Sequence, residues 1–297
     1  MGKIKIGYFG DGPWAHKSLA RLLQDSSIEV EFVCVRDNKP DKVLAQMANS
    51  EGIDFLTQQK VNSSDFIELV SKYRCDLFIS MSFDQIFGEK MRKIPPLSII
   101  NCHAGKLPFY KGRNVLNWAL INDEKEFGIT VHYIDEKIDT GDIILQQTFS
   151  ISDEDNYSTL LLRAYDYCSI LLYDAVKMIQ NSQVKVIKQS ELSYLGSYCV
   201  ARKQGDEILN WEQSSRSIFN FIRAICRPGP EARTFFGDTE IKINQAEYLC
   251  DAHNFVGIPG SVLGVSDDSF LVKTSDSFIR ITEWSGYLKP RIGDRLR

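Results

Sequence analysis

The chain has no long apolar run, no Cys-x-x-Cys pair, no block of like charge and only four histidines among its 297 residues. Each shortage excludes something. No apolar stretch approaches the roughly 20 residues that a membrane-spanning helix requires, so no membrane partner is expected. The opening MGKIKIGYFG runs straight into a strand-like segment without the basic, apolar and small-residue regions of a signal peptide, which points to a cytoplasmic protein. Seven cysteines, odd in number and scattered singly, do not make a disulfide framework. They read as small core hydrophobes in a reducing compartment. Cys102 and His103 are chain neighbours and face opposite sides of an extended segment, so they form no zinc pair and no metal is expected. A net charge of −4 without a Lys/Arg run argues against nucleic acid, whose phosphates demand a concentrated cationic surface.

What is present is ordinary in composition and ordered in pattern. Ile4 to Phe9 is an apolar run that breaks at Gly10-Asp11-Gly12 and passes into the helical spacing of Leu19, Leu22 and Leu23. Val30 to Val35, Leu77 to Ser80 and Leu97 to Ile100 continue as apolar strands, with Leu44 to Ala48 and Phe66 to Val70 as helical pieces between them. Strands buried on both faces and alternating with helices predict an α/β fold with a Rossmann-like, doubly wound and mostly parallel sheet. Gly128 to Tyr133 and Ile143 to Phe149 read as two further strands, and Leu160 to Ile179 as a long closing helix. After Trp211 the grammar changes to a helix over 214–224, a Pro228-Gly229-Pro230 stop and short β segments separated by turns. The expected organisation is a catalytic domain over 1–182, a connection over 183–207 and a smaller C-terminal β-rich domain over 208–297.

The chemistry concentrates between Asn101 and Asp142. On an extended segment Asn101 and His103, at i and i+2, share a face, while Cys102 points into the core. An amide donor and an imidazole on one surface, with a carboxylate from the Asp139 loop to polarise the imidazole, suit proton removal together with oxyanion stabilisation. The same three residue types also meet in loops for structural reasons, so the trio alone does not decide the matter.

Its surroundings carry further motifs: Leu107 to Gly112, Asn117-Trp118-Ala119, Phe127 to Thr130 and Asp139-Thr140-Gly141, in this order around Asn101 and His103. With them the chain resembles the folate-dependent formyltransferases, which include methionyl-tRNA, UDP-aminoarabinose and sugar N-formyltransferases. The likeness continues more loosely through Arg202-Lys203, Asn220 to Ala224, Pro259 to Val262 and Ile292 to Asp294. It implies 10-formyltetrahydrofolate as formyl donor, Asn101, His103 and Asp139 as the catalytic trio, and a C-terminal β domain of OB-like form. It also implies that the donor's pterin is held around Met81, Ser82, Phe83, Asp84 and Ile86, with Ile138 and Asp142 nearby, and that the protein is a homodimer through its C-terminal region.

Ala104-Gly105-Lys106 and Asn114-Val115 depart from the pattern of the transfer-RNA enzymes. The wording of the segment is most similar to sugar N-formyltransferases of surface-polysaccharide (O-antigen) synthesis. The resemblance thus implies a nucleotide-linked amino sugar, foremost a dTDP-4-amino-4,6-dideoxyhexose. A 3-amino isomer, a GDP-linked or UDP-linked sugar and methionyl-tRNA stay open, as does a non-catalytic folate- or nucleotide-binding module. Gly10 and Gly12 lack the third glycine and acidic partner of a dinucleotide fingerprint and read as a turn admitting phosphates. Trp14 reads as packing or as a wall for a sugar or base. Lys106, Lys111 and Arg113 are cations on one loop, of which Lys106 and Arg113 are the leading candidates for a diphosphate.

Overall fold

The computed structural model describes residues 2–192, 196–286 and 290–297. Residues 193–195, inside the connection read from the sequence, lie outside the described residues. In chain order the first elements are β1 (Ile4–Gly10), α1 (Gly12–Leu22), β2 (Ile28–Arg36), α2 (Lys42–Glu51), β3 (Asp54–Gln58), α3 (Ser64–Ser71), β4 (Leu77–Met81), α4 (Glu89–Arg92) and β5 (Ile99–His103). They are followed by β6 (Lys111–Gly112), α5 (Val115–Ile121), β7 (Glu126–Tyr133), β8 (Ile143–Ser150), α6 (Tyr157–Gln180), α7 (Gln189–Leu192) and β9 (Tyr198–Cys199). The remainder is α8 (Ser215–Ile225), β10 (Ala232–Phe236), β11 (Thr239–Glu247), β12 (Val262–Val265), β13 (Phe270–Lys273) and β14 (Phe278–Gly286).

The described chain divides into two compact units that are interleaved in sequence. One comprises residues 1–112, 128–149 and 163–198, the other 113–127, 150–162 and 199–297. The first unit is built on a seven-stranded sheet of order β3-β2-β1-β4-β5-β7-β8. The β1/β2, β1/β4, β2/β3 and β4/β5 pairs are parallel, and β5/β7 is antiparallel. Every residue of β4 is buried, as expected of a central strand covered on both faces. Phe9, Phe32, Phe66, Phe78 and Phe87 pack together on one side of this sheet, with Phe9 5.4 Å edge-to-face from both Phe32 and Phe78. Strand order reverses between β1 and β4, which opens a crevice at the carboxyl ends of these strands. The turn after β1, the loop after β4 and the end of β5 lie at that edge.

The second unit contains a five-stranded sheet of order β10-β11-β14-β13-β12, antiparallel throughout. Its helix α8 begins as the sequence leads one to expect, with Ser214 as N-cap accepting from the Ser217 amide. Arg223, 5% exposed on that helix, donates to the backbone oxygens of Ser152 and Asp155, which satisfies a guanidinium that could not otherwise be buried. Among the described residues no helix is long and apolar enough to cross a membrane.

Candidate active site

Asn101 and His103 are the third and last residues of β5, and the pleat places them on one face as their spacing requires. Cys102 faces the other way, 6% exposed, with its Sγ 3.6 Å from the Cys168 carbonyl. Asp139 arrives from the loop between β7 and β8 in a left-handed conformation, φ 56°. Gly141, two residues on, has no room for a side chain: a Cβ there would meet the Tyr133 carbonyl at 1.8 Å. That contact lets the loop fold tightly enough for the Asp139 carboxylate to face inward.

The carboxylate has three neighbours. Its Oδ2 accepts from the Gly112 amide at 2.8 Å and lies 3.6 Å from His103 Nδ1. Its Oδ1 lies 3.6 Å from His132 Nε2. Burial pushes the Asp139 carboxyl up, but His103, His132 and the Gly112 N–H outweigh it and hold the group at about 2. The His103–Asp139 separation is that of an electrostatic pair, longer than the hydrogen bond expected from sequence. His103 instead places Nε2 2.7 Å from the Tyr110 carbonyl. A carbonyl accepts only from N–H, so Nε2 carries the proton and Nδ1, on the side of Asp139, is the basic nitrogen of the neutral ring. Burial draws the His103 pKa below its ordinary value, against the opposing pull of Asp139. The ring is therefore neutral at neutral pH and able to take a proton. Gly105 permits the arrangement, since a Cβ there would come within 2.5 Å of His103 Nε2 and 2.4 Å of the Tyr110 oxygen.

Two neighbours were not legible as site residues. His132 reads from its apolar surroundings as core, and it is indeed only 2% exposed. It is also the cross-strand partner of Asn101 in the antiparallel β5/β7 pair. Its Nδ1 donates to the Tyr133 carbonyl at 2.8 Å, which leaves Nε2 to accept from Asn101 Nδ2 at 3.2 Å. One N–H of the Asn101 amide is thereby fixed and its second N–H is left for another acceptor. Gln189 is 4% exposed, and its Nε2 donates to the carbonyls of Asp139 at 3.0 Å and Gly141 at 2.7 Å. Its Oε1 is buried with no partner among the described residues, a cost tolerated for the two bonds on the other side of the amide. Replacing Gln189 with Met, of similar shape but without donors, is expected to lower kcat by about 10- to 100-fold by loosening this loop. Steady-state kinetics with an unchanged circular dichroism spectrum would check it, and wild-type turnover would exclude the role.

The remaining candidates are placed as follows. Met81 ends β4, 1% exposed, and Ser82 follows in a left-handed conformation, φ 58°. Phe83 packs on the aromatic cluster, 5.6 Å from Phe9, whereas Ile86 and Ile138 are 62% and 53% exposed. Asp84 lies 3.6 Å from Arg36, and the Asp142 carbonyl is taken by the Tyr133 amide. Phe83, Asp84 and Gln85 enter no backbone hydrogen bond among the described residues, so this loop offers backbone donors and acceptors beside exposed aliphatic side chains. The Gly10 to Gly12 turn is less open than the sequence implies. The Gly12 amide at the start of α1 donates to Asp41 Oδ2 at 2.9 Å, and Asp11 is paired with Arg36. A protein carboxylate already occupies the place expected for phosphate there. Trp14 stands edge-to-face on Tyr165 at 4.6 Å, a packing contact. Lys111 is buried, its ammonium 5.4 Å from the Tyr198 ring centre, while Lys106 and Arg113 are exposed. Among the described residues no group of three His, Cys, Asp or Glu side chains is arranged to hold a metal.

An amide donor, a neutral imidazole and an ionised carboxylate thus converge at the end of β5. Residues 3–176 match the family model described as formyl transferase, and residues 202–289 match that of the formyl transferase C-terminal domain. The chain belongs to the formyl transferase family. Like other formyltransferases it is an enzyme. A methionyl-tRNA formyltransferase of Pelotomaculum thermopropionicum is 31% identical, over 99% of this chain and 95% of that one. Among solved structures, WlaRD, a sugar 3N-formyltransferase determined with dTDP and 5-N-formyl-THF, superposes with TM-score 0.71 at 25% identity, covering 97% of this chain and all of that one. An N-formyltransferase from Helicobacter canadensis, in complex with folinic acid and dTDP-3-aminofucose, gives 0.69 at 25% identity over 96% of this chain and all of that one. Formyltransferase relatives therefore divide between two kinds of acceptor.

Proposed function

We propose that this formyltransferase moves a formyl group from 10-formyltetrahydrofolate to the amine of a nucleotide-linked amino-dideoxy sugar. The observation that carries the reaction is the convergence of Asn101, His103 and Asp139 around one open strand end. The co-substrate supplies an activated formyl carbon when bound. The Asp139 loop and the loop after β4, with its uncommitted backbone groups and exposed Ile86, suit a flat heterocycle that has a donor–acceptor edge. The free N–H of Asn101 can stabilise the oxygen on which negative charge develops. His103 can take the proton of the attacking amine at Nδ1, where the nearby Asp139 carboxylate stabilises the imidazolium.

For the acceptor, two observations favour the sugar. The net charge is −4, and a transfer-RNA partner is served by a positive surface. The sequence also departs from the pattern of the transfer-RNA enzymes at Ala104-Gly105-Lys106 and Asn114-Val115. The amine is read as the 4-amino group of a dTDP-linked dideoxyhexose, with the 3-amino isomer next. The methionyl-tRNA reading is favoured by the 31% identity to the Pelotomaculum enzyme, and it is the alternative to be excluded. Incubation with 10-formyltetrahydrofolate and a panel of dTDP-, UDP- and GDP-linked amino sugars is expected to add one formyl group to a dTDP sugar, read by mass spectrometry. Formylation of methionyl-tRNA with none of the sugars modified would overturn the acceptor assignment.

A further inference from the structure

The stretch after α6, which the sequence leaves as a weakly periodic connection, returns to the catalytic loops. Ile187 and Ile143 exchange backbone hydrogen bonds at 2.9 Å in both directions, and Gln189 holds the Asp139 and Gly141 carbonyls. Residues 196–198 lie against residues 108–111. The Lys111 amide donates to the Ser197 carbonyl at 3.0 Å, and the Tyr110 amide to Ser197 Oγ at 3.2 Å. Gly196 fits closely there, since a Cβ would come within 2.8 Å of the Pro108 carbonyl oxygen and 2.9 Å of Lys111 Nζ. All of these residues belong to the first unit.

Tyr198 reaches both catalytic loops. Its ring lies 5.4 Å from the ammonium of buried Lys111, the residue between Tyr110, whose carbonyl holds His103, and Gly112, whose amide holds Asp139. Its hydroxyl donates to the Ile138 carbonyl at 3.1 Å. That carbonyl shares a rigid peptide plane with the Asp139 nitrogen, so holding it fixes the plane from which the Asp139 backbone departs. Asp139 sits at φ 56°, a conformation that a non-glycine residue keeps only where its surroundings impose it. Burial, with the nearby Asp139 and Asp135 carboxylates, pushes the Tyr198 hydroxyl above its ordinary pKa, and at neutral pH it stays protonated and a donor.

We propose that Tyr198 is a positioning residue for formyl transfer, which sets the Asp139 carboxylate at its distance from His103 by holding the Ile138 carbonyl. The role depends on the pairing of Asp139 with His103 given above and not on the identity of the acceptor. Tyr198 is 55% exposed, and phenylalanine keeps the ring beside Lys111, so Tyr198→Phe should fold as the parent does.

The decisive measurement needs no acceptor. The His103 imidazole is titrated by NMR on the full chain, its signal identified among the four histidines by its loss in His103→Asn. Burial and, less strongly, His132 lower the His103 pKa, whereas Asp139 and the Tyr110 carbonyl raise it. Asp139→Asn is therefore expected to lower the midpoint, and Tyr198→Phe to lower it by a smaller amount with an unchanged melting temperature. In the combined variant Tyr198→Phe should add nothing, because the carboxylate through which it acts is gone. With whichever acceptor is formylated, Tyr198→Phe should reduce kcat by about three- to tenfold, the size of one net hydrogen bond. An unmoved or raised midpoint in Tyr198→Phe, or an equal shift with and without the carboxylate, overturns the proposal. If Asp139→Asn itself leaves the midpoint in place, the pairing of Asp139 with His103 falls first and the role of Tyr198 with it.

Discussion

Replacing His103 with Asn, or Asp139 with Asn, is expected to reduce turnover by about 100- to 10,000-fold, the contribution of a positioned general acid–base group. Neither change should unfold the chain. His103 ends its strand, and an asparagine at 139 keeps an oxygen to accept from the Gly112 amide. The two variants differ in their pH dependence. A base works deprotonated, so kcat/KM falls as pH drops through the imidazole pKa. Asp139 raises that pKa while burial lowers it. Removing the carboxylate should therefore move the acid limb of the residual activity of Asp139→Asn to lower pH, whereas His103→Asn should lose that limb altogether. An unmoved limb in Asp139→Asn would show that another group titrates. Near-normal turnover in either variant with an unchanged circular dichroism spectrum would remove the proposed roles.

Asn101→Ala is expected to cost about 100- to 1,000-fold in kcat, as for loss of one preorganised oxyanion donor, with a much smaller change in KM. The geometry sharpens this. Asn101 is held by one N–H on His132 Nε2, so His132 acts on the reaction by fixing the direction of the other. His132→Phe keeps the buried volume and removes the acceptor, and it should lower kcat less than Asn101→Ala does. Combining the two should cost less than the sum of their separate effects, because both act through one donor. Additive losses in the double variant, by steady-state kinetics on all three proteins, would mean that His132 does not work through Asn101.

Much of the architecture was legible because its signals are local. Apolar runs alternating with helical spacing marked β1, β2, β4, β7 and β8, and the sheet is mostly parallel as read. Asp54–Gln58 and Ala232–Phe236 escaped notice. Their burial is mixed, so neither shows an uninterrupted apolar run or a clean alternation. The site divides in the same way. The i, i+2 spacing of Asn101 and His103 places them on one face by itself, and the neighbouring motifs single out Asp139 as their partner. Chain order, by contrast, suggested consecutive domains, while the compact units take in 113–127 and 150–162 together with the C-terminal part.

The sequence by itself determined the fold class, the shared face of Asn101 and His103, and the membership implied by their surrounding motifs, because each depends on residues close along the chain. Only the tertiary structure decided what completes the site. His132 reaches Asn101 through the register of an antiparallel pair, and Gln189 reaches the Asp139 loop across 50 residues. Contacts of that kind follow from the closure of the whole chain, to which no local periodicity points. The tautomer of His103 belongs with them, since it is set by the Tyr110 carbonyl, a backbone group that no side-chain pattern reveals.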